Sequence, residues 1–429
     1  MSQKNVTPLY RNYVLVLLVI VYAFNYIDRQ LMTILLEPIK NEFQASDTVM
    51  GLLTGFAFAV FYATLGVPVA RLADSWSRKK VLTISLAFWS GFTALCGMAT
   101  SFWQLALLRV GVGIGEAGGT SPSQALIAEY FPPEKRSTAL SIHATGTHFG
   151  VLIGMFGGAM IADAFGWRMA FIAFGLPGVL LSLLMAFSVR EPARKKTEEA
   201  FPPLLKTVKE IWNTPGFSRI TIAAAFTALS GYGLGAWAPS FMIRVHGLSL
   251  VETGLILGII GTASGLLGAI LGGVLCDRLS KKDQRWQLWL PAIGAFLSVP
   301  FQGAFLLWPE QDQFQLFGSQ IPVATLFMIA GGIVAAFWIG PTYAAIQNLS
   351  PDHMRTQASA ILLLVFNLVG MGIGPVLVGV LSDQLMPAYG NESIRFALVS
   401  SLCFVFFGSF LYLRAATHYC QGIQRMAMT

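Results

Sequence analysis

Long apolar runs separated by short polar stretches dominate the chain. A helix needs about 20 apolar residues to cross about 30 Å of hydrocarbon, and twelve runs reach that length. They predict spans at 12–36, 50–70, 81–100, 102–128, 137–162, 169–189, 218–243, 253–275, 287–308, 321–347, 356–382 and 396–413. The expected fold is therefore an all-α membrane protein with twelve transmembrane helices. The first run has basic residues before it but no small-residue cleavage site, and it passes into Asp28 and Arg29. It reads as a retained helix rather than a secretory signal.

A polar centre, about 190–219, separates six runs from six and holds Pro192, Pro202, Pro203 and Pro215. The expected organisation is a six-helix bundle over 1–190, a cytoplasmic linker over 191–217, a second bundle over 218–415 and a cytoplasmic tail over 416–429. In the linker Leu204, Leu205, Val208, Ile211 and Trp212 recur at helical spacing opposite Lys206, Lys209 and Glu210. This predicts a short helix on the membrane surface; an ordinary solvated linker is the alternative.

Charge sets the orientation. With the N-terminus in the cytoplasm, Lys4, Arg11, the Arg71/Arg78/Lys79/Lys80 group, Lys135, Arg136, the linker, the 278–285 group, Arg355, Arg414 and Arg425 lie inside. Only Lys40, Arg168, Arg244 and Arg395 lie outside, the bias expected when basic loops are retained. Both termini are then cytoplasmic, and short external loops suit a bacterial inner membrane.

Composition narrows the classes further. Hydrophobic residues make up 55% and charged residues 11%, too oily for a soluble domain. The formal charge of +7 is scattered between apolar runs, so it is a topology signal and not a nucleic-acid face. The four cysteines are far apart and form no CxxC pair, so neither a disulfide framework nor a metal site is expected. Gly113-Ile114-Gly115-Glu116-Ala117-Gly118 matches GxGxxG but lies within a span, without the preceding strand that nucleotide binding needs. These glycines, and Gly146, Gly150, Gly154 and Gly158 on the fifth span, are surfaces for close helix approach. No cofactor and no Walker loop are expected, so energy must come from a gradient. No paired nucleophile and base occurs at recognisable spacing, so an enzyme is not expected.

The halves repeat. Ala70-Arg71-Leu72-Ala73-Asp74-Ser75-Trp76-Ser77-Arg78-Lys79-Lys80 follows the second run, and Gly273-Val274-Leu275-Cys276-Asp277-Arg278-Leu279-Ser280-Lys281-Lys282 follows the eighth. Pro133-Glu134-Lys135-Arg136 precedes the fifth and Pro351-Asp352-His353-Met354-Arg355 the eleventh. Two pseudo-symmetric six-helix bundles that rock about a midplane site are the transporter architecture this implies.

Four charges lie well inside spans, where each costs at least about 2.5 kcal/mol: Asp28, Arg29, Arg109 and Glu116. Glu116 is two helical turns from Arg109, on the same face and about 10 Å away along the axis. A carboxylate near a movable Arg has two states, paired and ionised or unpaired and protonated, and exchange between them couples protons to cavity opening. Asp28, Glu116 and Arg109 are accordingly the expected proton-coupling residues. A permanent Asp28–Arg109 ion pair is the structural alternative, and Arg29 either takes part or snorkels outward. His143 and His148 on the fifth span either relay protons or hydrogen-bond a neighbouring helix. Glu129 is expected to contact Arg136.

Apart from Arg219 at the very start of the seventh, the predicted spans of the second half carry no charge. Trp237, Phe241, Trp338, Tyr343, Gln347 and Asn367, with Ser230 and Tyr232, are its candidate cavity residues; each aromatic could equally be packing. A cavity charged on one wall and apolar on the other suits an amphipathic cargo. Arg29, Arg109, Glu116, Asn25, Tyr26, Trp237, Trp338, Tyr343 and Asn367 are the expected substrate contacts.

The Asp-plus-basic loop after the second run, echoed after the eighth, resembles the signature loop of the major facilitator superfamily, and the likeness covers essentially the whole chain. It implies that Asp74, Arg78 and Lys79, with Arg136, Asp277 and Arg278, latch the halves on the cytoplasmic side. Ser77 stands where that family usually has Gly, and Ser75 where it has Arg. Asn25-Tyr26-Ile27-Asp28-Arg29, together with Arg109-Val110-Gly111-Val112-Gly113-Ile114-Gly115-Glu116 in the fourth span, resembles the spinster branch, whose members are associated with lysophospholipids and sphingolipids. The expected function is proton-coupled, alternating-access transport of a lysophospholipid-like or sphingoid molecule by a monomer in the bilayer. The alternative is a facilitator for a small organic anion or drug.

Overall fold

The computed structural model describes residues 7–192, 204–316, 319–350 and 354–428. Most of the linker, with Pro202 and Pro203, and positions 351–353 of the second repeat motif lie outside them. All twelve predicted spans are helical. The first six are Pro8–Ile34, Asp47–Ser75, Arg78–Cys96, Phe102–Glu116 continued by Thr120–Tyr130, Glu134–Phe165 and Trp167–Ser188. The second six are Phe217–Arg244, Leu250–Ser280, Trp286–Leu307, Ala324–Asn348, the succession Arg355–Phe366, Asn367–Ile373 and Gly374–Tyr389, and Ser393–Met428.

Among the described residues, nine helical stretches are long and apolar enough to cross a membrane on their own, and one of these, the 68-residue Gln357–Gln424, holds the eleventh and twelfth spans together. The third span begins with Arg78-Lys79-Lys80, which dilutes its hydropathy, and the fourth is interrupted just after Glu116. The third therefore falls short in hydropathy and the fourth in unbroken length.

Among the described residues, three spans carry a π-helical segment. Leu52–Phe56, Ile153–Gly157 and Asn367–Ile373 widen to π-helix in the second, fifth and eleventh spans, a distortion that recurs where helices carry function. A feature absent from the sequence reading is an antiparallel pair of short strands, Gln313–Leu316 and Ser319–Pro322, between the ninth and tenth spans. Eight residues of mixed polarity are too few for an alternation to stand out.

The chain divides into two compact units. One holds Met1–Ala45, Phe56–Glu199 and Ser249–Ile259. Its first and fifth spans lie backbone to backbone: a Cβ on Gly146 would strike Val19, and one on Gly150 would strike Ala23 and Tyr26. Gly113 and Gly115 meet Phe58 and the Trp89 backbone in the same way, so the GxGxxG glycines are packing surfaces.

The other unit holds Ser46–Gly55, Ala200–Leu248 and Ile260–Thr429. One of its cores joins Phe217, Ile220, Ala358, Leu362, Tyr412 and Tyr419. The linker helix Leu204–Trp212 inserts Ile211 into this core, with Val208 and Trp212 packed against it. The last helix continues unbroken through the stretch read as a tail, and Ala416 and Tyr419 are buried there.

Candidate functional site

The first unit concentrates buried charge at one place. Asn25, Asp28 and Arg29 come from the first span and Arg109 and Glu116 from the fourth, and apart from Arg29 each is at most 2% exposed. Helical spacing puts Asn25, Asp28 and Arg29 on adjoining faces of one turn. Glu116 sits where the fourth span breaks, ahead of Gly118 and Gly119, with Asn25 close to Gly119.

Arg29 does not snorkel. Its Nε donates to Glu116 Oε2 at 2.8 Å, with side-chain exposures of 16% and 0%. Three aromatic rings surround its guanidinium, Tyr62 at 4.5 Å, Phe58 at 5.1 Å and Tyr26 at 5.2 Å. Arg109 lies 5.4 Å from the same Phe58 ring, so one π system serves two cations.

The permanent Asp28–Arg109 ion pair is not formed. Both Asp28 oxygens lack a hydrogen-bond partner, as do Nε and Nη1 of Arg109, Oε1 of Glu116, both amide atoms of Asn25 and the Thr93 hydroxyl. Asp28 nonetheless lies in the electrostatic reach of Glu116, Arg109 and Arg29. Buried polar groups are nearly always satisfied, so this concentration of unpaired atoms marks a place where protons, water or a ligand's polar group belong. Phe58 and Tyr62 carry no charge and were not anticipated; only their contacts with the guanidinium groups reveal them.

His143 is buried with Nε2 unpartnered and stacks on Tyr22 at 4.5 Å. His148, one further turn and more along the fifth span, is only partly buried.

The loop after the second span forms a network inside the first unit. Arg78 bridges Asp74 at 2.7 Å and Glu129 at 2.6 Å, and Lys79 Nζ donates to the Ala186 carbonyl. Glu129 thus bonds Arg78, while Arg136 Nε turns to the Phe131 carbonyl. Glu191, an unanticipated member, accepts from Ser77 Oγ at 2.7 Å and from the backbone N–H groups of Arg78 and Lys79 at 3.0 Å. It caps the third span from beyond the end of the sixth. In the second unit Asp277 and Arg278 are exposed.

The second-unit candidates fall into two groups. Trp237 and Phe241 are fully buried; Trp237 Nε1 donates to the Pro375 carbonyl at 2.8 Å, and Phe241 packs on Phe305. Ser230 is likewise buried, against Ser401. Trp338 and Tyr232 flank Phe366 at 6.0 and 6.4 Å, Tyr343 is half-buried, Asn367 opens the π segment at 7% exposure, and Gln347 is exposed.

This unit also holds a buried ion pair missing from the predicted spans. Arg244 clasps Asp47 through two bonds of 2.7 and 2.8 Å. The boundaries drawn at 50 and 243 leave both residues just outside.

Twelve helices in two internally repeated sets, with charge buried among them, define a multi-pass integral membrane protein of the secondary-transporter class. Comparison with known proteins agrees: residues 18–375 match the family model of the Major Facilitator Superfamily, and the chain belongs to that family. It is 34% identical over 412 residues to an MFS-type efflux pump of Mycolicibacterium smegmatis, covering 95% of this chain and 92% of that one. It is 28% identical over 404 residues to human protein spinster homolog 1, covering 87% and 75%. Among solved structures, a bacterial homolog of the human lysosomal transporter Spinster, inward-facing and unoccupied, superposes with a TM-score of 0.85 at 29% identity, covering 97% and 99%. The spinster resemblance read from the two motifs therefore holds. Members of this family carry small molecules across membranes and are not enzymes.

Proposed function

We propose that this transporter moves an amphipathic, lysophospholipid-like or sphingoid molecule by alternating access and couples that movement to protons. The observation that carries the reading is the Arg29–Glu116 pair lying beside Asp28, whose carboxyl has no bonded partner. Protonation of Glu116 removes the attraction that holds Arg29, and a freed guanidinium turns to Asp28 or to an anionic headgroup. Proton occupancy and cargo then compete for the same cation. Arg109 is the second counter-ion, and Asn25 and Tyr26 supply headgroup contacts. Trp338, Tyr343 and Asn367 supply the tail side.

In this reading the bundles 1–190 and 218–415 rock about the site. The Asp74, Arg78, Lys79 and Arg136 loop and its echo at Asp277 and Arg278 close the cytoplasmic side. The basic-residue bias supports cytoplasmic termini, short external loops suit a bacterial inner membrane, and the monomer is the working unit. The efflux-pump relative favours a second reading, export of a drug-like molecule in exchange for protons.

Proteoliposome flux of a labelled lysophospholipid, with and without a pH gradient, tests the proposal. Native protein is expected to respond to the gradient and Asp28→Asn and Glu116→Gln to lose that response. Unchanged gradient dependence in both variants removes these carboxylates from coupling. Competition that is indifferent to acyl-chain length selects the drug-like reading.

A further inference from the structure

The two halves fill one repeated place differently. Ile127-Ala128-Glu129-Tyr130-Phe131-Pro132-Pro133-Glu134-Lys135-Arg136, at the end of the fourth span, aligns without a gap with Ile346-Gln347-Asn348-Leu349-Ser350-Pro351-Asp352-His353-Met354-Arg355, at the end of the tenth. In the repeated basic loop Ser77 aligns with Ser280. Asn348 therefore stands where the first half has Glu129, and Arg355 where it has Arg136. In the first unit the chain supplies its own carboxylates there. Glu129 takes Arg78 at 2.6 Å, and Glu191 takes the Ser77 hydroxyl at 2.7 Å and two N–H groups at the start of the third span. Arg136 turns to the Phe131 carbonyl.

In the second unit the matching residues surround a cavity of ≈ 350 Å³ where spans eight to twelve end on the side of the linker. Ser280, Gln284 and Gln287 come from the turn between the eighth and ninth spans, Asn348 and Arg355 from the two ends of the next connection, and Tyr419 from the last helix. Among the described residues no carboxylate lines it. Ser280 Oγ donates to Gln287 Oε1 at 3.3 Å and Gln287 Nε2 to the Pro341 carbonyl at 3.0 Å, which fixes one wall. Tyr419, 3% exposed, accepts from Asn348 Nδ2 at 3.2 Å, so its own hydroxyl proton points away from Asn348 to another acceptor. The ninth span starts at Trp286 without a side-chain cap, whereas the third has Glu191, and an uncapped helix start favours an anion. The linker helix shares a core with this wall through Ile211, Leu349 and Tyr419, and an amphipathic helix of that kind lies at the depth of lipid headgroups.

We propose that this cavity is a binding site for a phosphate group, held by the Arg355 guanidinium and by the amide and hydroxyl donors around it. The bound group does for the second half what Glu129 and Glu191 do for the first. A tetrahedral oxyanion carries enough acceptors for a guanidinium and several neutral donors at once. The volume falls within the range of small-ligand sites, about 300–1,000 Å³. At this depth the group belongs either to a phospholipid headgroup of the adjoining leaflet, which basic pockets between spans take up, or to a soluble phosphate compound. The site lies wholly within the second unit, and it stands whether or not the cargo reading at Arg29 and Glu116 holds.

Thermal unfolding of the full chain in maltoside micelles at constant ionic strength tests the site. Inorganic phosphate is titrated against chloride, and phosphatidylglycerol against phosphatidylcholine added to the micelles. Native protein is expected to melt about 3 °C higher at a hundredfold excess of the probe over its dissociation constant. Arg355→Gln should abolish that rise. Asn348→Glu, which restores the carboxylate of the first half, should abolish it too while melting no lower than native protein without the probe. Lys135→Gln, which removes an exposed cation of the first unit, should keep it. A rise with inorganic phosphate assigns a soluble compound, and a rise with phosphatidylglycerol alone assigns a lipid headgroup. No rise in native protein with either probe, the same rise in native, Arg355→Gln and Asn348→Glu, or an equal loss in Lys135→Gln overturns the site. Binding at Arg29 would survive both cavity substitutions, so the two readings fail separately.

Discussion

The Arg29–Glu116 bond is the most exacting place to test the site. At 2.8 Å, with an effective dielectric constant of about 20, the gross attraction is about 6 kcal/mol. Much of it offsets desolvation, and removing one partner of a buried pair costs about 3–5 kcal/mol because the other charge is stranded. Glu116→Gln keeps the shape and an acceptor for Arg29 but deletes the charge; Arg29→Met keeps most of the volume and deletes the cation. Each single variant should lose about 3 kcal/mol or more, and the double variant much less than the sum, giving a coupling energy of about 3 kcal/mol. The assay is a double-mutant cycle by denaturant unfolding in detergent micelles. The Tyr62, Phe58 and Tyr26 rings still hold Arg29 when Glu116 is gone, so Glu116→Gln should lose less than Arg29→Met, which strands a carboxylate with no aromatic compensation. Additive losses, with no coupling, would refute a bonded pair at the centre of the site.

Three further expectations bear on the surroundings. His246, in the loop after the seventh span, has its pKa pushed down to about 4, chiefly by burial and secondly by Arg395. The unfolded chain therefore binds this proton first, so stability is lost as pH falls from about 6.5 towards 4, by roughly 1–2 kcal/mol after allowing for partial solvation; His246→Gln should flatten that part of a pH–stability curve, and an unaltered slope would exclude it. Gly150→Leu forces a side chain against Ala23 and Tyr26 and should cost about 1–3 kcal/mol, read as lower thermal stability than Gly66→Leu, where nothing lies within 4 Å of a Cβ. Glu191→Ala removes the acceptor for two N–H groups and the Ser77 hydroxyl and should cost about 1–2 kcal/mol, with Glu191→Gln intermediate; equal stability of all three proteins would show that the cap contributes nothing.

What was legible in the chain was whatever an apolar background makes conspicuous. Twelve runs of membrane length and a repeated basic loop follow from local composition, and each became a helix or a helix end. Asp28, Arg29, Arg109 and Glu116 stood out for the same reason, since a charge in hydrocarbon is rare enough to notice singly. Their pairing was not legible: depth along a helix axis gives no azimuth, and nothing in the sequence turns Arg29 of the first span towards Glu116 of the fourth. Asp47 and Arg244 escaped because hydropathy blurs a span's boundary by a turn or so, and a polar residue there looks like loop. Glu191 looked like linker, since nothing near it in sequence asks for a cap.

The sequence alone determined which segments enter the membrane and which charges they carry into it, because transfer from water to hydrocarbon acts on each segment by itself. Only the tertiary structure decided which charges meet, which glycines bring backbones together and which helix start borrows its cap from another span. Those are choices among neighbours, and neighbours exist only once the helices have packed.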